Sequence, residues 1–123
     1  MTNVEVVLKV YEEVFNNKDL SHLDAYMQDD YMQHNATVED GKEGFKRFLE
    51  RFFQMDPHME IIKIFENAED EVAVFFKCTC RANGMINKVV DIYRLKDGKL
   101  AEHWDVVEHN VTEISELNGR SIF

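Results

Sequence analysis

Three ionisable residues stand inside apolar, β-branched segments in the C-terminal third of the sequence. Asp91 follows a pair of valines, and further along the chain His103 and Asp105 flank Trp104. Because burial of an unpaired carboxylate is costly, these side chains either face water or line a cavity. Two carboxylates and an imidazole in an apolar cavity are groups that can take up and release protons, so the chemistry indicated is general acid/base catalysis.

The dipeptide Asp97-Gly98 between these segments predicts a tight turn that joins two antiparallel strands. A two-residue turn places Asp91 opposite Trp104 and leaves His103 on the other face. A three-residue loop with a glycine bulge places Asp91 opposite His103, with Asp105 one pair further along the same face. Directly opposed residues have Cβ atoms about 5 Å apart, so only the second register brings the three groups together. A slip of one residue separates the two alternatives.

The hairpin from Val89 to Asp105 resembles the closing hairpin of the SnoaL-like polyketide cyclase family. That family lies within the nuclear-transport-factor-2-like superfamily, which also holds the ketosteroid isomerases. The segments from Asp30 to Asn35 and from Gly41 to Phe45 resemble the family's short strand, loop and third helix, in the same order. The resemblance covers nearly the whole chain and favours the bulged register. It implies a single SnoaL-like domain over residues 1–123, with a cone-shaped α+β fold and an apolar pocket.

The resemblance also implies roles for the three ionisable residues. Asp105 stands where those cyclases carry their acid/base carboxylate, so it is the first candidate for the catalytic residue. Asp91 stands where they carry a histidine, and a second carboxylate there would either divide acid and base roles with Asp105 or hold His103 in place. His103 is either a second proton carrier tuned by Asp91 or one half of an Asp–His pair that satisfies both groups.

Five further side chains are candidates for contact with a substrate. His34 and Asn35 lie on the loop that borders the pocket mouth in the family, where both can hydrogen-bond a carbonyl or enolate oxygen. The alternative for Asn35 is turn chemistry, in which its side chain bonds the local backbone. Tyr93 shares a face with Asp91 and would line the pocket. Trp104 and Tyr11 belong either to the pocket or to the packing around it.

The elements that must position these residues follow from hydrophobic periodicity. Thr2-Asn3-Val4-Glu5 has the form of a capping box, and apolar residues at helical spacing predict a first helix that extends to Phe15. Asp19 can cap a short second helix, and a third follows Gly41 with phenylalanines on its buried face. After Pro57, strands are predicted over roughly 58–66, 72–82, 85–95 and 99–111. The fold class expected is α+β, a cone-shaped barrel of three N-terminal helices packed on a curved, mostly antiparallel sheet.

Composition argues against several classes of partner. A chain of 123 residues with 45% hydrophobic residues has material for one core and a pocket. The formal net charge of −10 argues against nucleic acid and anionic membrane surfaces. No apolar run approaches the roughly 20 residues that span a bilayer, and the first residues lack the pattern of a signal peptide. Cys78 and Cys80 are too close along one strand to bridge easily, so we expect reduced core thiols and a cytoplasmic location.

The sequence contains no Gly-rich phosphate loop, nucleophile elbow or paired metal motif. We therefore expect no metal and no cofactor, and acid/base chemistry by Asp105 on a hydrophobic carbonyl-containing small molecule, either aldol-type cyclisation or isomerisation. The alternative is a non-catalytic small-ligand-binding or dimerisation module of the same fold, in which Phe and Met side chains could fill the pocket. Apolar residues on the convex face of the sheet predict a homodimer: Val90, Ile92, Trp104 and Val106.

Overall fold

Three helical segments precede and cover a five-stranded sheet in the computed structural model, which describes residues 1–123. The helices are α1 (Asn3–Lys9), α2 (Leu23–Tyr26) and α3 (Gly41–Phe52). A π-helical segment, Val10–Asn16, continues α1, and short 3-10 turns precede α2 (Leu20–His22) and follow α3 (Phe53–Met55). The strands are β1 (Met27–Gln33), β2 (Pro57–Glu66), β3 (Glu71–Cys80), β4 (Met85–Lys96) and β5 (Lys99–Glu108). None of the helices is long and apolar enough to span a membrane.

The helix starts follow the predicted cap chemistry. The Thr2 hydroxyl oxygen accepts a hydrogen bond from the Glu5 backbone N–H at the start of α1. Asp19 accepts in the same way from the Ser21 backbone N–H before the short second helix. Beyond α1 the structure differs from the regular helix predicted, because the turns widen to i→i−5 hydrogen bonds, as in that from the Asn17 N–H to the Glu12 carbonyl oxygen.

The strand order is β1-β5-β4-β3-β2, and the sheet is open, with β1 and β2 at its edges. Neighbouring strands run antiparallel except β1, which is parallel to β5. The predicted α+β class, with three helices packed on a mostly antiparallel sheet, is confirmed. The first strand begins at Met27, earlier than the predicted Asp30, and ends at Gln33, so His34 and Asn35 lie on the loop that follows it, as predicted.

The β4–β5 hairpin adopts neither of the two registers predicted. Asp97 and Gly98 both have positive φ angles, and Lys96 pairs with Lys99, so the turn is the two-residue type. The register then shifts where β5 carries one extra residue, Ala101, against β4. With the two-residue turn alone, the side chains of β5 beyond the turn would point to the wrong faces of the sheet. The extra residue at the β-bulge shifts them back by one position. His103 and Asp105 therefore share the face of Asp91, as the bulged register predicted, although the residue opposite Asp91 is Asp105.

The two faces of the sheet have different surroundings. Residues of β3 alternate between buried and half-buried, with Val72, Val74 and Phe76 directed at the helices. Cys78 and Cys80 lie on the same face as buried free thiols. The C-terminal segment covers part of the opposite face, where the Phe123 ring stacks on Phe75 with centroids 6.2 Å apart. Val90, Ile92 and Val106 are exposed on the rest of that face.

Candidate functional site

A cavity of about 250 Å³ lies between α3 and the helix-facing side of the sheet. Thirteen of its 21 lining residues are hydrophobic, so most of the wall offers no hydrogen bonds. The Phe45, Phe48 and Phe52 rings stack in succession along α3, with centroids 6.0 and 5.4 Å apart. The i, i+3, i+7 spacing places these rings on one helix face. Since pockets that bind drug-sized ligands have volumes of about 300–1,000 Å³, this cavity suits a smaller molecule.

The polar end of the cavity is formed by the β4–β5 hairpin. Potential ligand atoms of Asp91, His103 and Asp105 all lie within 4.8 Å of one another. Asp91 and Asp105 are directly opposite across the two strands, and His103 faces Tyr93. The three groups that the sequence singled out are therefore brought together, in a register set by the bulge at Ala101.

Asp91 is buried with both of its carboxylate oxygens engaged. Its Oδ1 lies 2.9 Å from His103 Nε2. Its Oδ2 accepts hydrogen bonds from the hydroxyl groups of Tyr11 and Tyr93, the latter at 3.1 Å. Burial, followed by the charge of Asp91, raises the pKa of both tyrosines well above the usual value, so they remain protonated donors. Asp91 has no oxygen left for a ligand.

His103 is held at both ring nitrogens. Its Nδ1 contacts the side-chain oxygen of Gln33, which also accepts from the Asn35 backbone N–H at 3.3 Å. Because that backbone N–H can only donate, the Gln33 amide presents oxygen to His103, and Nδ1 carries a proton. Nε2 then faces Asp91 Oδ1. Both ring nitrogens of His103 therefore already have partners within the protein.

Asp105 differs from Asp91 in having an open oxygen. Its Oδ2 accepts from the Asn35 side-chain amide at 2.8 Å, and its Oδ1 has no partner in the protein. The side chain is half-buried and lines the cavity. Asp105 is thus the carboxylate of this cluster that can reach a bound molecule.

Local turn chemistry positions Asn35 for this contact. Its Oδ1 accepts from the Thr37 backbone N–H at 2.9 Å and from the Thr37 hydroxyl at 2.8 Å. With its oxygen occupied, the amide nitrogen points at Asp105. The two alternatives predicted for Asn35 are therefore combined, since the residue shapes the turn and also lines the cavity.

His34 and Trp104 lie on the opposite side of β5, outside the cavity. For Trp104 this is the convex-face alternative of the prediction, whereas His34 was predicted to contact a substrate at the pocket mouth. Their rings stack with centroids 4.8 Å apart and planes 2° apart. His34 Nε2 bonds Glu102 at 2.7 Å, and Glu102 accepts from Arg94 at 2.8 Å. The reason is strand alternation, since Trp104 stands between His103 and Asp105 and must face the other way.

Tyr93 lines the cavity, whereas Tyr11 contributes from behind it by its bond to Asp91. Sequence reasoning assigned no role to Gln33 or to Tyr31. The available signal was their spacing, because residues two apart on a strand share a face. Cys78 also reaches the wall, but burial raises the pKa of its thiol to about 12, which makes it a poor nucleophile.

Asp91, His103 and Asp105 are also the residues that could hold a metal ion. Coordination by His103 would require a ring nitrogen to leave either Gln33 or Asp91. The donor set in this arrangement therefore fits a hydrogen-bonded Asp–His pair better than a metal centre.

The profile of the SnoaL-like domain family matches residues 7–103 of the chain. A search of curated proteins finds no match.

Solved structures share the fold at low sequence identity. IdmH, a candidate polyketide cyclase from Streptomyces antibioticus, is 20% identical, covering 88% of this chain and 93% of its own, with a TM-score of 0.73. A SnoaL-like polyketide cyclase from Agrobacterium tumefaciens is 20% identical over 88% and 92%, with a TM-score of 0.71. An NTF2-like protein of unknown function from Cytophaga hutchinsonii is 16% identical over 88% and 91%, with a TM-score of 0.72. These likenesses establish the architecture.

Proposed function

The chain belongs to the SnoaL-like domain family, and from that premise we propose that it is a cofactor-free acid/base enzyme acting on a hydrophobic carbonyl-containing small molecule. Asp105 is the general acid/base of this proposal. The observation that carries it is the free Oδ1 of Asp105 at an apolar cavity, beside an Asp91–His103 pair whose oxygens and nitrogens are already engaged.

In the proposed reaction, Asp105 removes a proton from the carbon next to a carbonyl group. The C–H bond breaks, an O–H bond forms on Asp105, and the electron pair moves to the carbonyl oxygen as an enolate. In isomerisation the proton returns to another carbon. In an aldol-type cyclisation the enolate carbon attacks a second carbonyl group, and Asp105 returns the proton to the new alkoxide. Both routes are redox-neutral and need no co-reactant.

Electrostatics supports this assignment of roles. No Lys or Arg lines the cavity, and the hydrogen-bond partner of Asp105 in the protein is the Asn35 amide. Asp105 forms no salt bridge, so its Oδ1 is available to accept a proton from a bound molecule. The similar Streptomyces protein is a candidate polyketide cyclase and the Agrobacterium protein is a SnoaL-like polyketide cyclase, which supports the same substrate class.

The test is hydrogen–deuterium exchange at carbon 2 of 1-tetralone, a two-ring ketone, followed by NMR in D₂O. We expect the wild-type protein to accelerate exchange and Asp105→Asn to lower that rate at least about 100-fold. Asp97→Asn is the matched control, because it makes the same chemical change at an exposed turn residue and leaves an Asn-Gly turn. Equal exchange with Asp105→Asn and wild type would refute Asp105 as the base. Binding of 1-tetralone without exchange would favour the ligand-binding module instead.

We further propose that the chain forms a homodimer through the exposed part of the sheet face opposite the helices. Val106 is 75% exposed there, next to the exposed Val90 and Ile92. Contiguous apolar surface of this kind usually marks an interaction site. Because Cys78 and Cys80 are buried free thiols, we extend the proposal to a protein of the cytoplasm.

Light scattering after size-exclusion chromatography tests the dimer. We expect a dimeric mass for the wild-type protein and a monomeric mass for Val106→Glu. Leu117→Glu is the control, because Leu117 is 98% exposed and lies beyond the strands. A monomeric mass for the wild-type protein would refute the proposed homodimer.

A further inference from the structure

Two buried side-chain atoms have no hydrogen-bond partner in the protein, and both belong to residues at the polar end of the cavity. They are the Tyr31 hydroxyl oxygen and the side-chain nitrogen of Gln33. Both residues line the cavity and lie two apart on β1, which places their side chains on one face. Buried polar groups are nearly always hydrogen-bonded, so two orphans at one site indicate a partner from outside the chain.

The Gln33 atom is a donor by its local geometry. Its amide oxygen is occupied by the Asn35 backbone N–H and by His103 Nδ1. Rotation of the amide by half a turn would set its NH₂ group against the Asn35 N–H, so the present orientation is enforced. The nitrogen therefore has N–H groups to give. The Tyr31 hydroxyl lies beside it, but the two atoms do not form a hydrogen bond in the present geometry.

The Tyr31 hydroxyl is a donor as well. Burial, and then the charges of Asp91 and Asp105, raise its pKa well above the usual value. The adjacent Gln33 amide lowers the pKa by less, so the proton stays on the oxygen. Packing fixes its direction, because the Tyr31 ring stacks on His103 at 6.3 Å and lies 5.5 Å from the Phe45 ring. The residue is fully buried, so water outside the cavity does not reach the hydroxyl group.

We propose that Tyr31 and Gln33 form an oxygen-binding subsite, in which both donate hydrogen bonds to the carbonyl oxygen of an uncharged ligand whose reacting carbon lies at Asp105. This inference rests on the proposed function and assigns the group that holds the carbonyl oxygen. One carbonyl oxygen on the ligand can accept hydrogen bonds from both the Tyr31 hydroxyl and the Gln33 amide nitrogen. A carboxylate or phosphate ligand is excluded, because the cavity has no Lys or Arg lining and already contains the charge of Asp105.

The subsite has a defined part in the chemistry. When Asp105 takes the α-proton, negative charge develops on the ligand oxygen, and the two fixed donors stabilise it. No covalent bond forms to Tyr31 or Gln33, and neither gives up its proton. Their hydrogen bonds strengthen in the enolate and relax when the proton returns to the ligand.

The experiment compares 1-tetralone with tetralin, the same two-ring molecule without the oxygen. Affinities are measured by NMR titration, and the carbonyl stretch of bound 1-tetralone by infrared difference spectroscopy. Wild-type protein should bind the ketone at least tenfold more tightly than the hydrocarbon, with a stretch shifted to lower wavenumber than in an apolar solvent. Tyr31→Phe should weaken ketone binding at least fivefold, return the stretch towards its apolar value, and leave tetralin affinity unchanged.

Two further variants sharpen the result. Gln33→Glu keeps an oxygen for His103 and Asn35 but replaces the N–H donor, so it should also weaken ketone binding selectively. Tyr26→Phe is the control, because the Tyr26 hydroxyl bonds Glu13 away from the cavity. Unchanged tetralin affinity shows that a variant has kept its fold and cavity.

The subsite is overturned if wild type binds 1-tetralone no better than tetralin, or not at all. It is also overturned if Tyr31→Phe leaves the stretch unchanged or weakens both ligands alike. Failure of the proposed function would look different. In that case 1-tetralone would show the shifted stretch, sensitive to Tyr31→Phe, without any Asp105-dependent exchange.

Discussion

Asp91 and Asp105 are the same residue type, opposite each other on neighbouring strands, yet their surroundings differ completely. Asp91 is buried in the cavity wall, and its oxygens bond His103 and two tyrosine hydroxyls. Asp105 stands two residues past His103, half-buried, with one amide partner and one free oxygen. The partners, more than the residue type or the depth in the sheet, determine which carboxylate stabilises the fold and which is available for chemistry.

Removal of the Asp91 charge gives the largest effect expected from this comparison. Asp91→Asn removes the carboxylate that bonds buried His103 and the hydroxyls of Tyr11 and Tyr93, and removing one partner of a buried pair costs about 3–5 kcal/mol. We expect the free energy of unfolding in urea to fall by that amount. Asp105→Asn, which breaks no buried pair, should change it by less than about 1 kcal/mol. Similar losses in the two variants would contradict the division of roles.

An intermediate effect is expected from Asn35, the single partner of Asp105. Asn35→Ala removes the amide donor and the acceptor for Thr37, so we expect about tenfold slower exchange of 1-tetralone and about 1 kcal/mol lower stability. Asn118→Ala is the control, since Asn118 makes a similar turn contact to Arg120 far from the cavity. If Asn35→Ala leaves exchange at the wild-type rate, Asp105 does not depend on its amide partner.

The smallest effect concerns Glu102, on the outer face of the same strand. Its hydrogen bonds with Arg94, and then with His34, hold its pKa below the usual value. A group with a lowered pKa in the folded state contributes stability above its unfolded pKa, and that contribution is lost as pH falls through the folded value. We expect Glu102→Gln to lower stability at about pH 7 by up to about 1 kcal/mol and to have no effect near pH 2. An equal loss at both pH values would show that the charge is not responsible.

Much of this architecture could be predicted from local signals. The cap at Thr2, the turn at Asp97-Gly98 and the phenylalanine face of α3 each depend on residues close together in sequence. The side-chain face shared by Asp91, His103 and Asp105 belonged to one of the two registers left open, the one that the family resemblance favoured. The prediction obtained this shared face from a three-residue loop. In the structure it results from a two-residue turn followed by a β-bulge.

The rest depended on contacts between distant segments. An alanine carries no sequence signal for a bulge, so the residue opposite Asp91 could not be fixed in advance. The partners of His103 and Asp105 come from the end of β1 and its loop, and the parallel register that brings Gln33 beside His103 is set by packing. The same alternation that directs His103 inward directs Trp104 outward, so the two could not share one site.

The bulge at Ala101 has a consequence for how this hairpin tolerates changes in length. Leu100 and Ala101 are both buried although they are consecutive, which marks the point where inside and outside exchange along β5. A deletion of Ala101 would keep the turn but reverse every later side chain of the strand, so Trp104 would enter the cavity and Asp105 would leave it. Insertions or deletions between the turn and the cavity therefore keep the site residues on the inner face only when an even number of residues is involved. The loop beyond Glu108 is free of this constraint.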